Sequence, residues 1–206
     1  MSTVPFSEEQ AVIPIINDQD AARADIYGLL AGLLREPPTD EVLMTLRGIS
    51  PTGPDNDLGK AWKLLRLAAE HADPSDVDDE FHELFIGLVA GELMPYASWY
   101  QTGFLMERPL SELRDDLRRL GFAREDGVSE PEDHAAALCE VMAWLCTDPA
   151  FDIPLQRQFF EHHLAPWIGR FYTDLETARS ACFYRSVGRL GNAFLPVERD
   201  YLGGKA

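Results

Sequence analysis

The sequence predicts an all-α fold: a single bundle-like helical domain of about 8 to 10 helices. Three observations lead there. Apolar residues recur at i, i+3, i+4 and i+7 in one segment after another, the period of a helix face. No stretch shows the sustained alternation or β-branched enrichment of a strand. The 206 residues are 46% hydrophobic, enough for each helix to bury one stripe.

Residues 1–16 read as a loose N-terminal arm, 17–197 as the helical domain and 198–206 as a tail. The first helix spans Asp18 to Arg35, with Ile26, Leu29, Leu30, Leu33 and Leu34 on its apolar face and Pro37-Pro38 as its stop. Thr39 is an N-cap for a short helix to Arg47. SPTGPDND is a loop by composition. Leu58, Trp62, Leu65 and Ala69 mark a third helix to His71, and Asp73-Pro74-Ser75 breaks it and caps the next. That fourth helix carries Val77, Phe81, Leu84, Phe85 and Leu88 and fades near Gly87.

GELMPYASWYQTGFLMERP follows without a clean period. It is too apolar for disorder, and a long loop of this kind tends to be functional. Leu110, Leu113, Leu117 and Leu120 define a fifth helix closed by Gly121. The polar AREDGVS connects it to a central helix from Glu130 to Thr147. Beyond Asp148-Pro149, Phe160, His163, Leu164 and Trp167 mark one helix, bent at Pro166. Phe183, Val187, Leu190 and Phe194 mark a last helix ending before Pro196.

The start of the central helix draws most attention. Ser129 and Glu132 have the spacing of a capping box, Pro131 suits the first turn, and Glu130, Glu132 and Asp133 favour the dipole's positive end. His134 extends the stripe of Leu138, Val141, Met142 and Leu145 towards that end. Two readings stand side by side: ordinary capping with a packed imidazole, and an Asp-His site at a helix mouth.

Composition excludes several classes. A net charge of −17 argues against nucleic acid, whose binding rests on cations against phosphate, and it favours solubility or a basic partner. No apolar run reaches the roughly 18 residues that span a bilayer, so no stable membrane insertion is expected. The acidic N-terminus lacks a secretory pattern, which points to the cytoplasm. Cys139, Cys146 and Cys182 are odd in number and form no CxxC, so buried small hydrophobes rather than a disulfide framework are expected.

Three stretches together resemble the TorD/DmsD family of redox-enzyme maturation chaperones, related to the NarJ group. They are Tyr27-Gly28-Leu29-Leu30-Ala31-Gly32-Leu33-Leu34; Phe81-His82-Glu83-Leu84-Phe85-Ile86-Gly87 with Met94-Pro95-Tyr96-Ala97-Ser98-Trp99-Tyr100; and Glu130-Pro131-Glu132-Asp133-His134, like the family's Glu-Pro-x-Asp-His signature. His162-His163-Leu164-Ala165-Pro166-Trp167 resembles its C-terminal helix-breaking segment. Leu88-Val89-Ala90-Gly91-Glu92-Leu93 departs from the fuller Gly-Pro run of the family.

The resemblance implies an all-helical cytoplasmic chaperone, not an enzyme. Such a protein binds the twin-arginine signal peptide, and sometimes the body, of a molybdenum-cofactor oxidoreductase catalytic subunit, and delays its export. No cofactor, catalytic residue or metal ligand is expected, and no GxxxxGK[ST] occurs. A homodimer formed by exchanged elements stays open.

The chemistry suits such a ligand. Carboxylates pair with guanidinium bidentately, and Met with aromatics makes an adaptable apolar wall. The expected peptide site comprises Met94, Pro95, Tyr96, Ser98, Trp99, Tyr100 and Phe104, facing Glu130, Pro131, Glu132, Asp133 and His134 across a groove. Asp133 and His134 form its polar end. Against this, the aromatic loop could simply cover the core. Rival functions are a NarJ-type factor that binds a mature nitrate-reductase subunit, a metal-dependent helical enzyme using Asp133, His134, His82, Glu83 or His162-His163, and a plain acidic scaffold. Neither HExxH nor GxSxG is present, and His162 and His163 are expected to point apart on a helix.

Overall fold

The computed structural model describes residues 17–50, 56–87, 91–123 and 130–203. The arm before residue 17, Ser129, Leu88 and most of the two polar connectors lie outside them. Ten α-helices occur among the described residues, with no named strand: α1 Asp18–Arg35, α2 Asp40–Gly48, α3 Asp57–His71, α4 Pro74–Phe81, α5 Ala97–Thr102, α6 Arg108–Arg119, α7 Ala135–Thr147, α8 Ile153–Phe159, α9 Ile168–Thr177 and α10 Phe183–Gly203.

Local chemistry sets most ends. The side chains of Asn17, Thr39, Asn56, Asp73 and Asp152 each accept a backbone N–H of the helix they open. Gly103 and Gly121 take the left-handed conformation after α5 and α6. Two helices run on into single π turns, α4 through His82–Ile86 and α8 through Phe160–Leu164.

Helices α1, α7, α9 and α10 surround the core, whose largest buried side chains include Trp167, Tyr27, Tyr172, Tyr184, Phe160, Phe171 and Phe194. α9 and α10 approach closely at Gly188, where a Cβ would lie 2.7 Å from the Tyr172 carbonyl oxygen. Cys139 and Cys146 are buried and Cys182 is exposed, all three free.

Buried carboxylates fasten the helices. Glu80 on α4 accepts the backbone N–H groups of Cys182, Phe183 and Tyr184 at 2.7, 2.9 and 2.7 Å, capping α10 from another element. Glu92, at an exposed position, also accepts the backbone N–H groups of Arg179 and Ser180. Glu198, fully buried, takes both prongs of the Arg23 guanidinium at 2.6 and 2.7 Å and the Tyr27 hydroxyl at 3.0 Å.

The last helix passes its expected end. Pro196 lies inside α10, which continues to Gly203. Proline forfeits one helix hydrogen bond, but Glu198 and Leu202 beyond it are buried, and their contacts hold the helix together.

Candidate functional site

The central helix begins five residues later than the sequence suggests, at Ala135, so Glu130, Glu132 and Asp133 do not sit in its first turn. Residues 130–134 instead form a short turn in which the His134 N–H donates to the Pro131 carbonyl at 3.2 Å. His134 is the N-cap. Its Nδ1 accepts the Ala136 N–H at 3.1 Å, a role usually filled by Ser, Thr, Asp or Asn.

This turn is bound directly to the proline-aromatic segment, so no open groove separates the two. Tyr96 and His134 form an isolated antiparallel bridge. Ala97 N–H donates to the Asp133 carbonyl at 3.0 Å and Ala135 N–H to the Pro95 carbonyl at 2.8 Å. Asp133 Oδ2 accepts the Ser98 N–H at 2.8 Å, at the start of α5. The Tyr96 ring meets the His134 ring edge-on at 5.1 Å, and its hydroxyl donates to Glu130.

Burial divides the predicted residues. Asp133 is 1% exposed, Ser98 is fully buried, and Pro95 and His134 are also inside. Asp133 therefore presents no carboxylate to a ligand at a helix mouth. Asp133 Oδ1 and Ser98 Oγ are buried without a hydrogen-bond partner. Burial pulls the His134 imidazole below its usual range, overcoming the opposing pull of Glu130 and Asp133. Tyr100 turns inward: its hydroxyl donates to Asp174 at 2.9 Å, its ring packs on Trp167 and Phe171, and its carbonyl accepts from Arg170.

Other residues of the segment face out. Met94, Tyr96, Pro131 and Glu132 are half-buried and Glu130 is exposed. Trp99 is 42% exposed and Phe104 68%. Leu105 and Met106 join them at 39% and 75%, and Met106 holds a left-handed backbone (φ 59°) that a side chain rarely adopts. Four large apolar side chains within eight residues are thus turned to solvent beside α5. Arg114 on α6 grips Glu132 Oε2 at 2.8 and 3.0 Å, tying the turn to a third helix.

Two further features escaped sequence reasoning. A groove of about 420 Å³ runs between α1 and α7, floored by Ala24, Gly28, Ala31, Gly32 and Ala143, with Trp144 59% exposed at its edge. Its only sequence signal is the small-residue spacing Gly28-x-x-x-Gly32. His162 and His163 do not point apart: the π turn brings their rings to 4.7 Å, beside Asp116. No described helix is long and apolar enough to cross a membrane.

Comparison with known proteins gives this arrangement a context. Residues 52–173 match the family profile described as nitrate reductase delta subunit. The chain is 25% identical to the chaperone protein TorD of Vibrio atlanticus over 205 residues, covering 89% of this chain and 95% of that one. It is 26% identical to TorD of Vibrio vulnificus over 204 residues, with 88% and 95% covered. In structure it is similar to a candidate redox enzyme maturation protein from Archaeoglobus fulgidus, with a TM-score of 0.56 and 15% identity over 91% of this chain and 99% of that one. The named relatives are chaperones or maturation proteins, not catalysts. The chain belongs to the nitrate reductase delta subunit family, the TorD/NarJ group of redox-enzyme maturation chaperones.

Proposed function

We propose that this family member is a cytoplasmic chaperone for a molybdenum-cofactor oxidoreductase subunit. It binds the subunit's twin-arginine signal peptide and delays export until the cofactor is in place. The observation that carries the reading is the exposed run of Trp99, Phe104, Leu105 and Met106 on the segment that is bonded to the acidic turn of Glu130 and Glu132. Soluble monomers rarely expose contiguous large apolar side chains without a partner, and Met with aromatics adapts to varied apolar sequences. Carboxylates beside such a surface suit the paired guanidinium groups of the signal, and the net charge of −17 steers a basic peptide towards it.

In this reading Glu130, Glu132, Tyr96 and Pro131 meet the arginines, while Met94, Trp99 and Phe104 meet the apolar stretch. Pro95, Ser98, Tyr100, Asp133 and His134 hold that surface in shape. Calorimetric titration with a twin-arginine peptide and its twin-lysine variant tests it. The expected result is binding that weakens about tenfold with lysine, because the ammonium keeps the charge and loses the fork. Phe104→Ser and Met106→Ser, both at exposed positions, should weaken both peptides without unfolding the protein. Equal, salt-sensitive binding of both peptides would reduce recognition to bulk charge and end this reading.

One observation favours a second reading, in which the client is a mature subunit without an exported signal: the matching profile bears the name of a nitrate reductase subunit. That protein would ignore both peptides and bind the cofactor-free catalytic subunit instead.

A further inference from the structure

We propose that α6 and the π turn after α8 form a binding site for a divalent transition-metal ion, with His162, His163 and Asp116 as ligands. The ligand atoms of these three side chains all lie within 4.8 Å of one another. Asp116 Oδ2 is 2.8 Å from His163 Nε2. Glu112 stands one turn before Asp116 on α6, its Oε2 3.8 Å from His162 Nε2, and is a fourth ligand within reach. The proposal is independent of the signal-peptide reading.

The backbone explains the convergence. Neighbouring residues on an α-helix diverge by about 100°. In the π turn Phe160–Leu164 the Ala165 N–H reaches back to the Phe160 carbonyl at 2.8 Å, which widens the turn, and within it the two imidazole rings lie 4.7 Å apart. Such π bulges are frequent at functional sites. The turn is pinned further by Trp167, whose indole N–H donates to the His163 carbonyl at 2.8 Å.

The donor set is right for zinc-like ions. Two imidazoles and a carboxylate are a common three-ligand set that leaves one position for water or a further oxygen. Nitrogen-rich sites favour zinc, copper or nickel over magnesium and calcium. Bonds near 2.1 Å in a tetrahedron require ligand atoms about 3.4 Å apart, a value between the 2.8 Å of the Asp116–His163 pair and the 4.8 Å that bounds the set. Arg119 occupies the other oxygen of Asp116, Oδ1, at 2.5 Å, so Oδ2 is presented to the histidines. A cavity of about 20 Å³ lined by Gln101, Glu112, His162 and His163 adjoins them, room for a single water-sized ligand. His162 is exposed and gives the ion a way in, Glu112 is half-buried beside it, and His163 is buried and gives it a floor.

Such an ion would staple α6 to the turn between α8 and α9, and α5 rests on both α6 and α9. The test titrates the full chain, stripped with EDTA, with Zn²⁺ against a chromophoric chelator at pH 7.5. One equivalent should bind with micromolar affinity or better. His162→Gln, at an exposed position, should lower that affinity about tenfold or more, and Asp116→Asn likewise. His82→Gln, at an exposed histidine on another element, should leave it unchanged. A hundredfold excess of Zn²⁺ over Kd should raise Tm by roughly 5–10 °C. Binding no stronger than that of Mg²⁺, or binding indifferent to His162→Gln, overturns the proposal.

Discussion

Asp133 separates two ways in which an acidic motif can serve a basic ligand. If it touches arginine, its charge matters. If it holds α5 in place, its hydrogen bond matters. Its side chain is 1% exposed and accepts the Ser98 N–H at 2.8 Å, and Ser98 is itself buried. Asp133→Ala therefore orphans a buried donor and removes a charge-assisted bond of about 1.5–3 kcal/mol. Adding the small cavity, we expect a loss of about 2–4 kcal/mol, against a total stability of about 5–15 kcal/mol. That corresponds to a fall in Tm of roughly 4–16 °C for a chain of this size. Asp133→Asn keeps an acceptor for Ser98 and no longer buries a charge, so it should stay within about 1 kcal/mol of wild type. The assay pairs thermal unfolding with peptide titration. Asp133→Ala should weaken twin-arginine and twin-lysine peptides by the same factor, and Asp133→Asn should bind both as wild type does. An Asn variant of unchanged Tm that selectively loses the arginine peptide would refute the positioning role and return the carboxylate to the ligand.

Glu80→Ala leaves three N–H groups at the start of α10 without their acceptor and should cost about 2–4 kcal/mol in urea unfolding at an unchanged m value, with Glu80→Gln losing less. Glu198→Ala strands the buried Arg23 guanidinium and should cost about 3–5 kcal/mol, whereas Arg23→Met combined with Glu198→Leu should recover most of that; a double variant no better than the single one would contradict this account. Burial lowers the pKa of both His134 and His163, so the unfolded chain takes up protons first as the pH falls. Stability from these groups is then full above about pH 6.5 and is lost below it. His134→Asn, which retains a capping side chain, should flatten part of that loss, measured as the difference in urea midpoint from wild type between pH 7.5 and 5.5; an unchanged difference would show that His134 is not the group responsible.

The sequence was most legible where structure is local. Asp18–Arg35 appears with the boundaries that its apolar stripe and Pro37-Pro38 suggest, and Thr39 and Asp73 cap as their chemistry demands. It was least legible where a distant partner decides. Ala97–Thr102 forms a helix inside a segment without periodicity because Asp133 binds the Ser98 N–H at its start and Tyr100 docks on Trp167 and Phe171. The same pairing draws residues 130–134 out of the helix they could have begun. α10 runs through Pro196 because Arg23, 175 residues away, meets Glu198 beyond it. The convergence of His162 and His163 depends on a π turn, for which hydrophobic period gives no signal. Within the candidate site, residue identities were readable and orientations were not, since a two-residue bridge between distant segments leaves no repeat in either.

The motif Glu130-Pro131-Glu132-Asp133-His134 then resolves into a division of labour. Glu130 and the partly covered Glu132 lie on the outer side, the first at the Tyr96 hydroxyl and the second at Arg114. Pro131 supplies the carbonyl that closes the turn, Asp133 holds α5, and His134 caps α7. Burial and exposure thus divide this stretch, so the packing of Asp133 and His134 leaves Glu130 and Glu132 on the outer side. The same logic limits what the net charge explains. Glu80, Glu198 and Asp133 are consumed by internal donors, so the acids available for steering are the exposed ones, and steering carries no preference for arginine over lysine. Any such preference must come from the few oxygens held at fixed positions on the turn, those of Glu130 at the Tyr96 hydroxyl and of Glu132 at Arg114. Those positions are fixed because Asp133 and His134 clamp the turn to α5 and α7 and Arg114 ties Glu132 to α6.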